Sequence, residues 1–426
     1  MTQLGAQAAI IPSSNLVVHH ADCEYPFRQN SDFWYLTGFD EPNSIALFLP
    51  FKKENERYIL FVQESDPSLE VWTGFRSGVK GATENYEADK AHPIDQFANF
   101  LNEYLLEAEG LTFRIGQYPL IDQIVLKAWC YQLDKSQRGQ LSSLSISSPS
   151  PILHKMRLIK EQYEIERIRL AASISAKAHE IARASVKPGM NEREIQGIIE
   201  SYFLKENARG PAYGSIVASG DNACVLHYTS NNSELLDGDL LLIDAGCALF
   251  DYYSGDITRT FPINGKFSPE QKDLYELVLK AQDEAINSVK PGNCAEDIHL
   301  TALRCLVDGL VELGLLIGDT DSLIEQNAYR HIYMHKTGHW LGLDVHDVGA
   351  SRLGDSPIAL KEGMVLTVEP GVYISDRLEV PKGQPIIKDN WKGIGIRIED
   401  NILVNSKGYE ILTSEAQKSS ERMECL

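Results

Sequence analysis

Two segments of the chain share one pattern: LDGDLLLIDAG at Leu236–Gly246 and KEGMVLTVEPG at Lys361–Gly371. In each segment a glycine is followed by five mostly apolar residues, a carboxylic acid, one further residue and a second glycine. A short apolar run bounded by turn residues is typical of a buried β-strand. The pattern therefore predicts two buried strands that each end at an acid, Asp244 in the first and Glu369 in the second.

A second repeat lies upstream of each strand. The sequence SVKPG occurs at Ser185–Gly189 and again at Ser288–Gly292, and each copy follows one helical pattern and precedes another. An amide followed three residues later by an acid is typical of a capping box, which satisfies free N–H groups where a helix begins. The sequence predicts two such boxes, Asn191 with Glu194 and Asn293 with Glu296.

Each apolar strand is also followed by a β-like segment that carries an acid of its own. The first is SGDITRTFP, which contains Asp256, and the second is GIGIRIEDNILV, which contains Glu399. Repeats of this kind indicate internal duplication. The simplest architecture is two related helix-plus-hairpin halves packed face to face, with two carboxylates from each half in one site between them.

The region before these repeats has a different character. The segment SSLSISSPSPI at 142–152 is dense in serine and proline, so we place the domain boundary there, between a domain at 1–150 and a domain at 151–426. Upstream, short apolar runs predict strands and one stretch has helical spacing. These are the strands Ile45–Pro50 and Tyr58–Val62 and the helix around Phe97–Ala108. The predicted fold class is α/β (α+β), with a mixed α/β N-terminal domain.

Composition and charge limit the class of protein. The 426 residues are 43% hydrophobic and 23% charged, as in soluble globular proteins. Sixty acidic and 40 basic residues give a net charge of −20, which opposes binding to nucleic acid or to an anionic membrane. Seven scattered cysteines without a CxxC pair predict reduced thiols, and the N-terminus lacks a secretory pattern. We expect a cytoplasmic protein.

The four strand-associated acids require compensating charge, because an unpaired buried carboxylate is costly. Arg397 lies two residues before Glu399 on the same strand face, so an ion pair would satisfy one acid but not four. Metal binding accounts for all of them. The segment MHKTGHWLGLDVHD adds His335, His339 and His346, and their spacing alone does not identify which one is a ligand.

The ligand types suggest the kind of metal centre. Carboxylate oxygens with an imidazole favour Mn, Mg or a similarly hard cation over thiolate-seeking zinc. Four acids are more than one catalytic ion normally needs, whereas two ions about 3.5–4 Å apart would use all of them and activate a water molecule. The residues themselves therefore indicate a dinuclear metallohydrolase.

Five ordered motifs resemble those of the pita-bread metallopeptidases, and specifically of the Xaa-Pro aminopeptidase (aminopeptidase P) family. They are LLIDAG, GDITRTFP, HKTGHWLGLDVHDVG, MVLTVEPGVYI and GIGIRIEDNILV. The segments YPFRQNSDFWYLTGFDEP at Tyr25–Pro42 and EVWTGFR at Glu70–Arg76 are similar to the N-terminal domain of that family. The resemblance covers nearly the whole chain and implies a C-terminal pita-bread domain.

The resemblance implies roles for individual side chains. The implied metal ligands are Asp244, Asp256, His339, Glu369 and Glu399. The implied catalytic groups are Glu369, as the proton acceptor, with His346 and His227 beside the developing oxyanion, although both imidazoles could instead be packing groups. The implied substrate-binding residues are His335, Arg397, Tyr373 and Trp72, the last of which reaches a neighbouring subunit in some family members.

The implied reaction is release of the N-terminal residue from peptides with proline in second position, by a hydroxide held between two divalent ions, with Mn²⁺ as the expected metal. The resemblance also implies a homodimer or homotetramer. An Xaa-Pro dipeptidase (prolidase) is the nearest alternative, since it shares the metal site. A pita-bread binding module without catalysis is the alternative from a different class, and the complete ligand set disfavours it.

The chain departs from the family pattern at one place. Asp244 and Asp256 are twelve residues apart, one more than is usual in the family. A hairpin loop or a β-bulge can hold an extra residue without moving either acid. We therefore expect the difference to change the shape of the loop CALFDYYSG and not the ligands.

Overall fold

A computed structural model describes residues 1–136 and 145–424 of the chain. These residues form two compact units, Met1–Lys155 and Met156–Leu426. Residues 142–144 of the expected boundary segment lie outside the described residues, and so does Cys425. The other six cysteines are free thiols. Within the described ranges, none of the helices combines the length and apolarity needed to span a membrane.

The helices and strands of the described residues are numbered here in chain order. The α-helices are α1 Ser31–Thr37, α2 Pro67–Thr73, α3 Gly78–Asn85, α4 Phe97–Tyr104, α5 Pro119–Ser136, α6 Ser150–Leu158, α7 Gln162–Ser185, α8 Glu192–Lys205, α9 Pro269–Asn287, α10 Ala295–Glu312, α11 Thr320–Glu325 and α12 Ser420–Met423. The strands are β1 Gln7–Pro12, β2 Val18–His20, β3 Cys23–Glu24, β4 Ile45–Phe48, β5 Tyr58–Val62, β6 Lys90–Pro93, β7 Gly110–Thr112, β8 Ser145–Ser147, β9 Gly210–Pro211, β10 Ile216–Ser219, β11 Leu240–Asp244, β12 Cys247–Ala248, β13 Thr258–Pro262, β14 Arg352–Leu353, β15 Ser356–Pro357, β16 Val365–Val368, β17 Gly371–Ile374, β18 Ile394–Arg397, β19 Asp400–Asn405 and β20 Gly408–Ile411.

The N-terminal unit is built on a mixed sheet with the strand order β6-β5-β4-β1-β7-β8. Strand β4 is antiparallel to both β1 and β5, and the remaining pairs are parallel. Because side chains alternate along a strand, Ala8 and Ile10 pack with α4 and α5 on one face. Ile11 packs with Phe33 and Ala82 on the other. The predicted strands β4 and β5 and the predicted helix α4 are confirmed, although β4 ends at Phe48 and α4 at Tyr104, earlier than expected.

The C-terminal unit repeats one plan twice. In the first half the helix pair α7 and α8 precedes an antiparallel sheet of β10, β11 and β13. In the second half α9 and α10 precede the strands β16, β19 and β20 and the pair β17 and β18. Each SVKPG copy lies between the two helices of its half. The predicted duplication into helix-plus-hairpin halves is confirmed.

The two predicted capping boxes have different outcomes. At the start of α8, Asn191 and Glu194 form the expected reciprocal box. At the start of α10 the prediction is wrong, because the box is formed one residue later by Cys294 and Asp297. Leu360 N–H donates to the carbonyl of Asn293. This pairing keeps the chain extended through Cys294, so the helix begins at Ala295.

A buried histidine on α7 predicts a pH dependence of stability. His179 is 3% exposed and its Nε2 donates to the carbonyl of Ala245, 2.8 Å away. Its Nδ1 has no partner, and burial lowers the pKa of His179 from 6.5 to about 4. Between these values the unfolded chain binds more protons than the folded chain. The free energy of unfolding therefore falls as the pH drops from about 6.5 to 4, by about 3 kcal/mol in total.

The variant His179→Gln tests this expectation, because its amide can still donate to Ala245 while carrying no titratable group. We expect the thermal midpoints of the two proteins, measured without metal, to be similar at pH 7. At pH 4.5 the variant should be the more stable protein. Parallel curves for the two proteins across this range would contradict the assignment.

Candidate metal centre

A cavity of about 650 Å³ in the C-terminal unit contains most of the residues singled out by the sequence. The predicted residues that line it are Asp244, Asp256, His227, His335, His339, His346, Glu369, Arg397 and Glu399. Tyr373 is not among the lining residues, but its hydroxyl forms hydrogen bonds with two of them, His335 and Arg397. Trp72 belongs to α2 of the N-terminal unit, where its side chain is 85% exposed.

The local fold explains how the four acids meet. Asp244 is the last residue of β11 and pairs with Thr258 of β13, two residues after Asp256. In the second half Glu369 follows β16, and Glu399 lies between β18 and β19. A bridge between Thr258 and Glu399 joins the halves: Glu399 N–H donates to the Thr258 carbonyl at 3.0 Å, and Thr258 Oγ1 donates to Glu399 Oε2 at 2.7 Å. Each half thus contributes two acids to one wall.

Three of these groups form a cluster suited to a cation. Ligand atoms of Asp256, His339 and Glu399 all lie within 4.8 Å of one another. His339 Nε2 is 3.4 Å from Asp256 Oδ2 and 3.8 Å from Glu369 Oε1. The other ring nitrogen, Nδ1, donates to the carbonyl of Trp340 at 3.0 Å. That hydrogen bond aims Nε2 of His339 at the carboxylates, as a metal ligand requires.

The electrostatics of the cavity also favour a positive charge. Burial lowers the pKa of His339, but Asp256 and Glu369 outweigh it and raise that pKa to about 9. Burial raises the pKa of Glu369 to about 7. Burial, followed by the charges of Asp256 and Glu369, raises the pKa of Glu399 well above its ordinary value. A site that draws protons onto three groups would be stabilised by a divalent cation, and its donor set of carboxylates and one imidazole fits such an ion.

Arg397 satisfies one acid, but a different one from its neighbour in sequence. Its Nη2 pairs with Asp244 Oδ2 at 2.6 Å, and its side chain is 4% exposed. It also donates to Thr258 Oγ1 and to Tyr373 Oη, each at 3.1 Å. Within the described residues, no lysine or arginine nitrogen lies within 4.0 Å of the carboxylates of Asp256, Glu369 or Glu399. Lysine and arginine therefore neutralise only one of the four acids, and the remaining negative charge favours a cation.

Tyr213 is a residue of the site that sequence reasoning missed. Its hydroxyl lies 2.5 Å from Asp244 Oδ1 and 2.5 Å from Asp256 Oδ1. The hydroxyl has one proton, so it can donate to only one of the two carboxylates at a time. Tyr213 lies outside the duplicated segments, although its position just before β10 places it beside β11.

The histidines differ in their surroundings. His335 Nδ1 donates to the carbonyl of Lys336 at 2.7 Å, so its Nε2 accepts from Tyr373 Oη at 2.8 Å. Burial and the charge of Arg397 lower the pKa of His335 to about 4. The ring of His346 packs edge-on against that of His339, with centroids 4.3 Å apart. His227 is exposed at the edge of the cavity.

Buried polar groups fix the segments that carry these histidines. Glu192, which is fully buried, accepts hydrogen bonds from three side chains and two backbone amides of the segment at 219–233, which contains His227. Asp347, next to His346, pairs with Arg157 Nη2 at 2.6 Å and with Lys160 Nζ at 2.8 Å. The segments that carry His227 and His346 are thus each held in place by a buried carboxylate.

The segment between Asp244 and Asp256 contains a turn. Leu249 N–H donates to the carbonyl of Tyr253, and Tyr252 between them has a φ of 72°. Ahead of this turn β12 pairs with β9. The two aspartates still share the Tyr213 hydroxyl, as described above. With this spacing the two acids lie side by side, as expected, whereas the effect on the shape of the loop stays a prediction.

Comparisons with known proteins agree with this geometry. The model of metallopeptidase family M24 matches residues 166–406, and that of the aminopeptidase P N-terminal domain matches residues 1–112. The Xaa-Pro aminopeptidase of Haemophilus influenzae is 46% identical over 95% of this chain and 89% of its own. That of Escherichia coli is 42% identical over 98% and 93%. A solved structure of a variant of Escherichia coli aminopeptidase P in complex with substrate has a TM-score of 0.92 and 41% identity, covering 98% of this chain and 93% of that chain. The chain therefore belongs to metallopeptidase family M24 and carries an N-terminal domain of the aminopeptidase P type.

Proposed function

We propose that the protein is a metal-dependent Xaa-Pro aminopeptidase, which releases the N-terminal residue from peptides with proline in second position. The observation that carries this proposal is the convergence of Asp244, Asp256, His339, Glu369 and Glu399 on one cavity. Relatives that are 42–46% identical over nearly the whole chain bear the same name. The bond before proline is a tertiary amide without an N–H, so its cleavage requires a dedicated pocket.

The proposed cofactor is a pair of divalent cations, with Mn²⁺ as the proposed metal. The five residues named above would hold it. When bound, such a pair would polarise the scissile carbonyl. It would also lower the pKa of water, so that the water can lose a proton and act as a nucleophile at neutral pH. The carboxylate-rich ligand set supports a hard cation such as Mn²⁺.

The side chains of the cavity supply the remaining functions in this proposal. Glu369, with a pKa raised to about 7, accepts a proton from the attacking water and returns it to the proline nitrogen. His346 and His227 stand beside the carbonyl oxygen and stabilise its developing negative charge. Asp244 helps to hold the free α-amine of the substrate. His335, Tyr373 and Arg397, which are joined by hydrogen bonds, form the wall of the proline pocket.

The N-terminal region has a separate proposed role. We propose a division at 150/151, with the first domain serving oligomerisation and substrate access and the second serving catalysis. A homodimer or homotetramer in the cytoplasm is the proposed state of the protein. The exposed side chains of Val71, Trp72 and Phe75 support an additional contact, because a group of exposed apolar side chains often marks an interaction site. In this proposal Trp72 reaches the site of a neighbouring subunit.

Metal removal and peptide length test the proposal. We expect the chelator-treated protein to be inactive and to regain activity with Mn²⁺ on a tripeptide Xaa-Pro-Yaa. Cleavage of the dipeptide Xaa-Pro alone would favour the alternative, an Xaa-Pro dipeptidase. Full activity after verified metal removal would contradict the dinuclear centre.

A further inference from the structure

One cation on the wall of the cavity is not used by the reaction described above. Lys336 lines the cavity and is exposed, one residue after His335. Among the residues that the structure describes, no carboxylate lies within 4.0 Å of its ammonium group. The other cation on this wall, Arg397, is buried and paired with Asp244. Lys336 is therefore free to bind an anionic group of a ligand.

The charges of the cavity are arranged by depth. The acids Asp256 and Glu399 are 4% and 2% exposed, so negative charge is concentrated at the inner end. Lys336 is exposed, so positive charge lies at the outer edge. A peptide whose ammonium group approaches the acids must direct its C-terminus toward this edge. A tripeptide in extended form spans about 10 Å, and its carboxylate is the group farthest from its ammonium end.

The positive charge of Lys336 also affects a histidine that does not line the cavity. Burial, followed by the charge of Lys336, lowers the pKa of His299 to about 4. His299 Nδ1 is 2.8 Å from the hydroxyl of Thr337, the residue after Lys336. The backbone carbonyl of Lys336 is fixed by His335, so the start of this side chain is held in place. A side chain fixed at its base loses less freedom when its ammonium group binds an anion.

We propose that Lys336 binds the C-terminal carboxylate of short peptides and makes the enzyme selective for tripeptides with a free carboxylate. This inference rests on the proposed aminopeptidase function. It names the substrate class as short peptide acids, in preference to peptides whose C-terminus is amidated. An ion pair at an exposed edge contributes modestly, so the selectivity should be about three- to fivefold in kcat/KM.

The experiment compares Ala-Pro-Ala with its C-terminal amide on the Mn²⁺-loaded enzyme. The native protein should cleave the acid about three- to fivefold more efficiently, and the difference should disappear in 0.5 M NaCl because salt screens exposed charges. In Lys336→Gln the ratio should fall to about one, and in Lys336→Glu it should invert. Lys336→Arg should retain it. The effects should appear mainly in KM, with kcat nearly unchanged.

Two further measurements make the result specific. Lys187→Gln removes an exposed lysine that does not line the cavity, and it should leave the ratio unchanged. Inhibition by the dipeptide Pro-Leu and by its amide should show the same selectivity without turnover.

The outcomes separate this inference from the proposed function. A native enzyme that cleaves both peptides equally, or a preference that survives in Lys336→Gln, would overturn the role of Lys336. A native enzyme that cleaves neither peptide would overturn the proposed function, and the inference would fall with it.

Discussion

The variant Glu369→Gln should lose about 10²- to 10⁴-fold in kcat, which is the contribution of a positioned general base. Glu369 lines the cavity, and its Oε1 lies 3.8 Å from His339 Nε2. Its pKa of about 7 makes it able to accept and return a proton near neutral pH. An amide of the same shape can do neither and is also a weaker ligand for a cation.

The measurement is kcat on a saturating Xaa-Pro-Yaa peptide, with the metal content of each protein determined in parallel. Glu362→Gln is a matched control, because Glu362 is an exposed glutamate seven residues earlier that does not line the cavity. Its kcat should equal that of the native protein. If Glu369→Gln retained its metal and more than a tenth of the native kcat, the role of Glu369 as base would be wrong.

The variant Asp347→Ala should lose about 3–5 kcal/mol of stability, the usual cost of removing one partner from a buried ion pair. The side chains of Asp347 and Lys160 are each 1% exposed, and that of Arg157 is 3% exposed. Removal of the carboxylate leaves the Lys160 ammonium buried without its counter-charge. Because Asp347 adjoins His346, the change should also displace one wall of the cavity.

Thermal unfolding measures this effect, and Asp344→Ala provides its control. Asp344 contacts the same Arg157 Nη2 at 2.7 Å, but its side chain is 37% exposed. An exposed partner contributes about 1 kcal/mol or less, so the thermal midpoint of the control should hardly change. If the two variants lost the same stability, burial of the ion pair would not be the reason that Asp347 stabilises the fold.

The acids of the site could be predicted because each one follows a local pattern. Asp244 and Glu369 end short apolar runs, and Asp256 and Glu399 recur in the segments that follow. A buried strand needs only its own residues to be recognised. Internal repetition then indicated that the four acids belong to one site. The same reasoning gave the fold class of the C-terminal half.

Other features depend on contacts between distant segments and could not be predicted from local patterns. Spacing did not distinguish His339 from its neighbours, because the choice depends on a hydrogen bond that orients its ring. Arg397 lies beside Glu399 in sequence but pairs with Asp244, which belongs to the other half of the unit. Tyr213 lies outside the duplicated segments, and the start of α10 is set by pairing with the segment that contains Leu360. In each case a long-range contact outweighed the local signal.

The bridge between Thr258 and Glu399 sets a time order for the maturation of the enzyme. The two residues are 141 positions apart in the chain. At ribosomal rates of 5–20 residues per second, the second half of the site emerges about 7–28 s after the first. For most of this interval the nascent chain offers only Asp244 and Asp256 of the four acids, because Glu369 precedes Glu399 by only 30 residues. The complete set of four acids is therefore available only near the end of synthesis, after Glu399 has left the ribosome.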